Sequence, residues 1–247
     1  MQSNLINSCK RIGAVLAIGT LLIAQACNRP DQLTCVTGNG EIDTDTRSIG
    51  SFDALASAGN YDVTIVQGEG STILIQAESN LLQHIETKVD RGTLQLSTVN
   101  DRCISPTERV RITVTVPALS GVLLNGSGMI VCDSLTAPTF NAELTGSGDI
   151  DLRLFSTDIT ATVGGSGNLF LAGYSPITEL TARGSGLLDA SLLESDTCYA
   201  TVRGSGDLYT NCDSLLVAEI VGSGDLYYTG NPTIDERDNG SGELKMY

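Results

Sequence analysis

The tripeptide Gly-Ser-Gly recurs seven times in the C-terminal half of this chain, at intervals of 18 to 20 residues. The copies begin at Gly126, Gly146, Gly165, Gly184, Gly204, Gly222 and Gly240. Around each copy aliphatic residues alternate with Thr, Asp and Glu, and this period of two is typical of β-strands. Because such short intervals leave no room for a crossover helix, the pattern predicts an all-β protein. Residues 121–247 are expected to form a right-handed parallel β-helix, a solenoid whose coils of 18–20 residues stack about 4.8 Å apart.

An antiparallel β-sandwich is the alternative fold, because it also has short strands with turns at regular spacing. The recurrence of the same residue types at equivalent positions favours the solenoid, since a sandwich does not stack equivalent residues on one another. In the solenoid, Gly is expected to supply a positive φ at a corner of each coil. Ser is expected to form a ladder of hydroxyl groups between coils.

The N-terminus has the features of an export signal. Lys10 and Arg11 precede an apolar run of about 13 residues, too short for the roughly 20 that a membrane-spanning helix needs. The run ends in Ala24-Gln25-Ala26, followed by Cys27, and so resembles a bacterial lipoprotein signal, although Ala24 stands where Leu is usual. We therefore expect residues 1–26 to be removed, Cys27 to carry the lipid and residues 27–46 to form a tether. The expected location is the cell envelope, as an outer-membrane lipoprotein facing the periplasm or the outside.

Charge and composition exclude several classes of function. The chain carries 14 basic and 29 acidic residues, and loss of Lys10 and Arg11 with the signal leaves a net charge of −17 (12 − 29). Nucleic acid is therefore not an expected partner. A single histidine, His84, leaves no basis for a histidine metal cluster. Outside the signal and Cys27, two disulfides are conceivable, Cys198–Cys212 and Cys35–Cys103, with Cys132 left over.

Stacking of the coils would align candidate binding residues into columns. One column ends in three consecutive carboxylates, which form either a solvated acidic stripe or a calcium site: Asp207, Asp225 and Glu243. A second brings Tyr209 next to Tyr227, with Tyr228 beside them, as a surface on which a sugar ring could stack. A third pairs Arg183 with Arg203, each directly before its Gly-Ser-Gly. No catalytic residue, metal centre or cofactor is otherwise expected.

Residues 47–120 lack the repeat but are rich in strand-forming segments. Several of these segments, in this order, resemble the auto-transporter adhesin family with a head GIN domain: Phe52–Leu55, Tyr61–Gly68, Glu78–Leu82, Ile85–Thr87, Gly92–Leu94, Val114–Leu119 and Asn125–Gly128. The resemblance covers roughly residues 47–245. It implies an exported, often lipidated protein with a right-handed β-helix, of which residues 47–120 would cap one end.

The favoured function is a lipid-anchored, non-catalytic, adhesin-like binding protein of the cell envelope. It would contact the membrane through its lipid and recognise a glycan or an envelope or matrix protein. A periplasmic structural or scaffold protein is the alternative. A polysaccharide-processing β-helix enzyme is a third, disfavoured because coils of 18–20 residues leave no long loops to build a catalytic groove. Neither the ligand nor the oligomeric state follows from the sequence.

Overall fold

A computed structural model describes residues 34–247, and the predicted signal, Cys9 and Cys27 lie outside this range. Residues 36–247 form one compact unit. Within the described range there is no α-helix, and no helix is long and apolar enough to cross a membrane. The N-terminal strands are β1 (Val36–Thr37), β2 (Ile42–Ser48), β3 (Ala54–Ser57), β4 (Tyr61–Gln67), β5 (Thr72–Glu78), β6 (Ile85–Asp90), β7 (Thr93–Thr98), β8 (Ile104–Ser105) and β9 (Val110–Val116). Short 3₁₀ turns occupy Leu82–His84 and Val99–Asp101.

The repeat region is built from twelve further strands. They are β10 (Gly121–Leu124), β11 (Met129–Thr136), β12 (Thr139–Leu144), β13 (Asp149–Phe155), β14 (Asp158–Val163), β15 (Asn168–Tyr174), β16 (Ile177–Ala182), β17 (Leu187–Val202), β18 (Leu208–Ile220), β19 (Leu226–Thr229), β20 (Thr233–Asp238) and β21 (Leu244–Met246). A Gly-Ser-Gly corner separates the two strand segments of each coil. Every pairing from β10 to β21 is parallel and joins equivalent residues of successive coils, for example Ala142 to Ala161 and Ala161 to Leu180. The predicted β-solenoid is confirmed, with about seven turns, and the sandwich alternative is wrong.

The core lies between the two parallel ladders of strands. Three aliphatic columns of the repeat face inward and are buried: Val122, Ala142, Ala161, Leu180, Ala200 and Ala218; Leu124, Leu144, Val163, Ala182, Val202 and Ile220; and Ile130, Ile150, Leu169, Leu188, Leu208 and Leu226. Because successive strand residues point to opposite faces, the Thr, Asp and Glu between them lie outside. Burial of these stacked columns is the main source of stability in the repeat.

The Gly-Ser-Gly corners correct the expected role of glycine. None of their glycines has a positive φ. They are needed because the coils approach too closely for a side chain: a Cβ on Gly165 would lie 1.9 Å from the carbonyl oxygen of Gly146. The Gly126 carbonyl accepts hydrogen bonds from the N–H groups of both Ser147 and Gly148, each 3.2 Å long. The same pair of bonds is repeated at later corners, at Gly165, Gly184, Gly204 and Gly222.

The expected ladder of serine hydroxyls is mostly absent from the described residues. Ser241 donates to Ser223 across 3.2 Å, but no other pair of corner serines is bonded through its hydroxyls. The corner serines are exposed, and their backbone N–H groups rather than their hydroxyls join the coils. The hydroxyls therefore remain available to solvent or to a ligand.

The N-terminal strands continue the stack and then close it. Strands β3 and β4 pair in parallel with β10 and β11, and on their other side with β7 and β9. Stacking therefore begins before residue 121. Antiparallel strands complete this end, with β5 between β2 and β9 and with β6 on β7. Tyr61, buried with its hydroxyl 3.0 Å from the Ser97 carbonyl oxygen, packs within this region, and burial raises its pKa to about 12.

The cysteines divide into two groups. Cys35 and Cys103 are both disulfide-bonded, as their predicted pairing requires. Cys132, Cys198 and Cys212 are buried free thiols. The predicted Cys198–Cys212 bridge is absent, although the two buried thiols are close enough to influence each other's pKa. The Cys212 thiol donates to the Leu215 carbonyl oxygen at 3.0 Å. Interaction with Cys212 lowers the pKa of Cys198, while interaction with Cys198 and burial raise the pKa of Cys212.

Candidate functional site

A polar groove runs across three coils beside the Gly-Ser-Gly corners. Its volume is about 470 Å³, and it is lined by Ser166, Asn168, Ser185, Gly186, Leu187, Asp189, Ser205, Gly206, Asp207 and Tyr209. The groove arises because the corner glycines have no side chains, whereas side chains on the strands that follow them form its wall. Its volume lies within the range of small-molecule sites, about 300–1,000 Å³.

Tyrosine side chains form a cluster at one end of this groove. The rings of Tyr209 and Tyr227 are stacked, with centroids 4.5 Å apart and planes 9° apart. Tyr247 meets both rings edge-on, with its centroid 5.2 Å from that of Tyr209 and 6.3 Å from that of Tyr227. The Lys245 ammonium lies 5.7 Å from the Tyr227 centroid. The predicted pairing of Tyr209 and Tyr227 is therefore present, within a larger cluster defined here as the tyrosine cluster: Tyr209, Tyr227 and Tyr247.

The acidic column joins neighbouring coils. Asp207 Oδ1 accepts the N–H of Asp225, and Asp225 Oδ1 accepts the N–H of Glu243, both at 2.9 Å. The second oxygen of Asp225 accepts from Lys245 Nζ at 2.6 Å and from the Tyr227 hydroxyl at 3.2 Å. The hydrogen bond from Lys245 lowers the pKa of Asp225 most, and the hydrogen bond from the Glu243 N–H lowers it further.

The candidate calcium ligands therefore have other partners. In addition to those hydrogen bonds, Glu243 Oε2 lies 3.1 Å from Lys245 Nζ. Within residues 34–247 no group of three or more His, Cys, Asp or Glu side chains is arranged to hold a metal ion. The carboxylates of Asp207 and Asp225 accept hydrogen bonds from N–H groups of the next coil, a role that needs no cation.

The remaining candidate residues lie outside the groove. Arg183 and Arg203 are exposed, and each directly precedes a Gly-Ser-Gly corner. A guanidinium nitrogen of Arg203 lies 3.5 Å from a carboxylate oxygen of Glu219. Tyr228 is partly buried and packs against the hydrophobic core, because it follows Tyr227 directly and so points to the other face of the strand. Of the five residues expected to bind a ligand, the structure places Tyr209 in the groove and Tyr227 behind it.

Three residues of this region did not stand out in the sequence. Asp189 lines the groove, and Phe170 lies in register with it on the preceding coil. Both belong to the column that contains Tyr209, so closer attention to that column could have found them. Tyr247 is the last residue of the chain and follows the final repeat, and no pattern in the sequence points to its contact with Tyr209.

The electrostatics of the groove are acidic. Asp189 Oδ1 accepts the N–H of Ser191 at 3.0 Å. Partial burial and the nearby carboxylates of Asp207 and Asp189 raise the pKa of Tyr209, so its phenol stays protonated. The groove contains acceptor oxygens, serine hydroxyls and one aromatic wall, and no basic side chain lines it. This arrangement is suited to binding hydroxyl groups and is poorly suited to anions.

Comparison with known proteins gives a family and a set of solved folds. A family model described as "Putative auto-transporter adhesin, head GIN domain" matches residues 51–232. A "putative adhesin" of Bacteroides fragilis has a TM-score of 0.82 and 24% identity, over 86% of this chain and 100% of the other. A "putative lipid binding protein" of Parabacteroides distasonis has a TM-score of 0.74 and 21% identity, over 87% and 100%. A "putative adhesin" of Parabacteroides merdae has a TM-score of 0.68 and 20% identity, over 86% and 98%. No curated protein matches the chain.

Proposed function

Because the chain belongs to the auto-transporter adhesin family with a head GIN domain, we propose that it is a lipid-anchored, adhesin-like binding protein of the bacterial cell envelope that catalyses no reaction. Cys27, directly after Ala24-Gln25-Ala26, is the proposed site of the lipid. The expected tether of residues 27–46 is too long, because β1 and β2 place residues 36–48 in the folded unit; the proposed tether is residues 28–34. The solenoid then supplies the surface that binds the ligand.

The observation that carries this proposal is the groove beside the Gly-Ser-Gly corners. It combines an aromatic wall, Tyr209, with acceptor groups from Asp189 and Asp207 in a cavity of about 470 Å³. Binding sites for small ligands commonly join an apolar surface to a few placed polar groups. The coils that build the groove are rigidly stacked, so the site is formed before the ligand arrives, which reduces the entropy lost on binding.

The geometry favours binding over catalysis. Each corner is a tight turn of three residues, and among residues 34–247 no long loop rises beside the groove to enclose a substrate. A hydrolase of polysaccharides needs two carboxyl groups with separate roles as acid and as base or nucleophile. One oxygen of Asp207 is instead bonded to the backbone of the next coil. Turnover of a polysaccharide by the purified protein, abolished in Asp207→Asn, would contradict the non-catalytic part of the proposal.

The groove does not favour a lipid acyl chain as its ligand. Ser, Asn and Asp provide most of its lining, and burying an apolar chain against them would leave their polar groups without partners. In the proposal the lipid is therefore the covalent anchor, and the ligand of the groove is polar.

Protease treatment of intact cells tests the location. Cells expressing the protein are exposed to a protease before and after permeabilisation, and the protein is followed by blotting. Digestion in intact cells supports an adhesin on the outer surface. Protection until permeabilisation would contradict it and would favour a periplasmic scaffold.

A matched pair of variants tests the anchor. Cys27→Ser is expected to move the protein from the membrane fraction to the soluble fraction, because it removes the thiol that bears the lipid. Cys9→Ser, which changes a cysteine inside the predicted signal, should leave the membrane association unchanged. Membrane retention of Cys27→Ser would overturn the lipid anchor.

A further inference from the structure

The tyrosine cluster leaves one aromatic face open. Tyr209 and Tyr227 cover one face of each other, since their rings are parallel and their residues are in register on adjacent coils. Lys245 lies over the other face of Tyr227, and Tyr247 covers an edge of both rings. The remaining face of Tyr209 is directed along the solenoid toward the coil of Asp189, with which Tyr209 is in register. This face looks into the groove.

A gap in the same column lies next to that face. The column runs Phe170, Asp189, Tyr209 on three successive coils. Phe170 and Tyr209 are therefore two coil steps apart, about 10 Å at the usual spacing of strands. The side chain of Asp189 between them is shorter than the aromatic side chains of Phe170 and Tyr209. The column therefore has an opening at Asp189. An opening of this width has room for one ring laid flat against Tyr209.

The floor of this opening offers unused acceptors. Asp189 and Asp207 each bond a backbone N–H through Oδ1, at 3.0 and 2.9 Å, and within residues 34–247 the Oδ2 atom of each has no hydrogen-bond partner. The hydroxyls of Ser185 and Ser205 are exposed beside them and bond to no other described side chain. Carboxylates form strong, short hydrogen bonds with hydroxyl donors. A ligand with several adjacent hydroxyl groups would meet these acceptors.

The charge of the groove selects among such ligands. No Lys or Arg lines it, and Asp189 and Asp207 both contribute negative charge. Arg183 and Arg203 belong to a different column, before the corner, and do not contribute to the lining. A uronic, sulfated or phosphorylated sugar would be repelled, whereas an uncharged sugar or an amino sugar would not.

We propose that this groove binds a non-acidic sugar residue of a glycan, with the ring stacked on the open face of Tyr209 and its hydroxyl groups bonded to Asp189 and Asp207. The proposal rests on the proposed function, for which it names the class of ligand. Tyr209 supplies the stacking surface, and Tyr227 and Tyr247 hold that surface in place. The repeated serines line the path of the neighbouring sugar residues along the corners.

Binding to defined oligosaccharides tests the proposal. Detergent-solubilised full-length protein is titrated with three soluble probes: a neutral N-acetylglucosamine oligomer, the deacetylated amino-sugar oligomer, and an oligogalacturonate. We expect binding of the neutral or the amino-sugar probe and none of the oligogalacturonate. Tyr209→Ala should weaken the binding about tenfold, because it removes the stacking surface. Tyr209→Phe should retain it.

Two further variants separate binding from folding. Tyr199 is 45% exposed on the other ladder, outside the groove, and Tyr199→Ala should bind as the natural protein does. Asp189→Asn keeps the shape of the side chain and should also weaken binding, which keeps the test decisive if Tyr209→Ala lowers the melting temperature. Preference for oligogalacturonate, or an affinity of the Tyr209→Ala and Asp189→Asn variants that equals that of the natural protein, would overturn the proposal.

The proposed function and this inference can fail separately. If intact cells expose the protein and none of the neutral or amino-sugar probes binds, the sugar site is wrong and the adhesin-like function stands. If the probes bind and the protein is protected in intact cells, the site stands and the surface location is wrong.

Discussion

The N-terminal cap and the Gly-Ser-Gly repeat are held together by different kinds of contact. In the repeat, every coil adds the same buried aliphatic residues and the same backbone hydrogen bonds to the coil before it. In the cap, single polar side chains join loops that are far apart in sequence. Glu78, fully buried, accepts hydrogen bonds from the N–H of Gly40 at 2.6 Å and from the N–H and hydroxyl of Thr107 at 2.8 and 2.7 Å.

Arg47 has a similar function on the other side of the cap. Its guanidinium donates to the carbonyls of Ile85 and Leu82 and to the Thr87 hydroxyl, at 2.8 to 3.1 Å, and pairs with Asp45. The difference between the two regions teaches how each fails. A change in the repeat has a large effect where it disturbs the buried columns or where coils touch backbone to backbone, whereas the cap also depends on a few buried polar side chains that no repeated contact can replace.

The largest effect is expected at a corner glycine. Gly165→Ala would place a methyl group 1.9 Å from the Gly146 carbonyl oxygen, so two coils would have to separate. We expect the free energy of unfolding to fall by about 3 kcal/mol or more. Thermal unfolding followed by circular dichroism measures the change.

The adjacent residue provides the control. A Cβ on Gly164 would lie 3.7 Å from the nearest atom, the Leu144 carbonyl oxygen, which is an ordinary contact. Gly164→Ala should therefore leave stability unchanged or raise it by about 0.5 kcal/mol, through a less flexible unfolded chain. Equal effects of the two substitutions would contradict the account of the corners by close approach.

The contrast between the two regions also explains what the sequence could predict. Because the copies of the repeat can be aligned, the sequence predicts the solenoid. The aliphatic columns, the coil length and the pairing of Tyr209 with Tyr227 all follow from that alignment. The reason for the glycines did not follow, since a positive φ and a close approach of backbones both exclude a side chain. The cap is not repeated, so the contacts of Glu78 with Thr107 and Gly40 left no periodic trace.

The candidate site was predictable in part for the same reason. Alignment of the copies places residues in columns, but it does not show how far a side chain reaches or which neighbours use its polar atoms. Asp225 therefore appeared equivalent to Asp207, whereas its second oxygen is occupied by Lys245 and Tyr227. The other sides of the Tyr209–Tyr227 pair are covered by Tyr247 and Lys245, which lie on or directly after β21 and outside the aligned columns of tyrosines.

A smaller effect is expected at the centre of the cap. Glu78→Gln removes the charge and turns an amide donor toward N–H groups that need an acceptor, so the melting temperature should fall by several degrees, less than for Gly165→Ala. Glu69→Gln, at an exposed loop residue, should leave it unchanged. A melting temperature that is equal in both variants would show that the cap does not depend on Glu78.

Acid should remove this contribution of Glu78. The hydrogen bond from the Thr107 hydroxyl, together with those from the N–H groups of Gly40 and Thr107, lowers the pKa of Glu78 below its ordinary value of 4.5. Because the pKa of Glu78 is lower in the folded protein than in the unfolded chain, its stabilisation is fully present above pH 4.5. The stabilisation is lost as the pH falls through the pKa that Glu78 has in the folded protein. The difference in melting temperature between the natural protein and Glu78→Gln should therefore narrow as the pH is lowered below 4.5. A difference in melting temperature that does not change with pH would contradict the lowered pKa of Glu78.

The smallest effect is expected at the last coil that the structure describes. Within residues 34–247, strands β20 and β21 each pair with one neighbouring strand, whereas the strands of an inner coil pair on both sides. Lys245 links this coil to the previous one through Asp225, and ion pairs that remain partly open to solvent contribute little to global stability. Lys245→Ala should leave the melting temperature almost unchanged and should speed hydrogen exchange in β21 alone, because the terminal coil of a solenoid opens without its neighbours. Lys88→Ala, an exposed lysine on β6 that forms no ion pair with any residue from 34 to 247, should alter neither measurement. Faster exchange throughout the repeat would mean that the coils open together, and the last described coil would then be held as firmly as the inner coils.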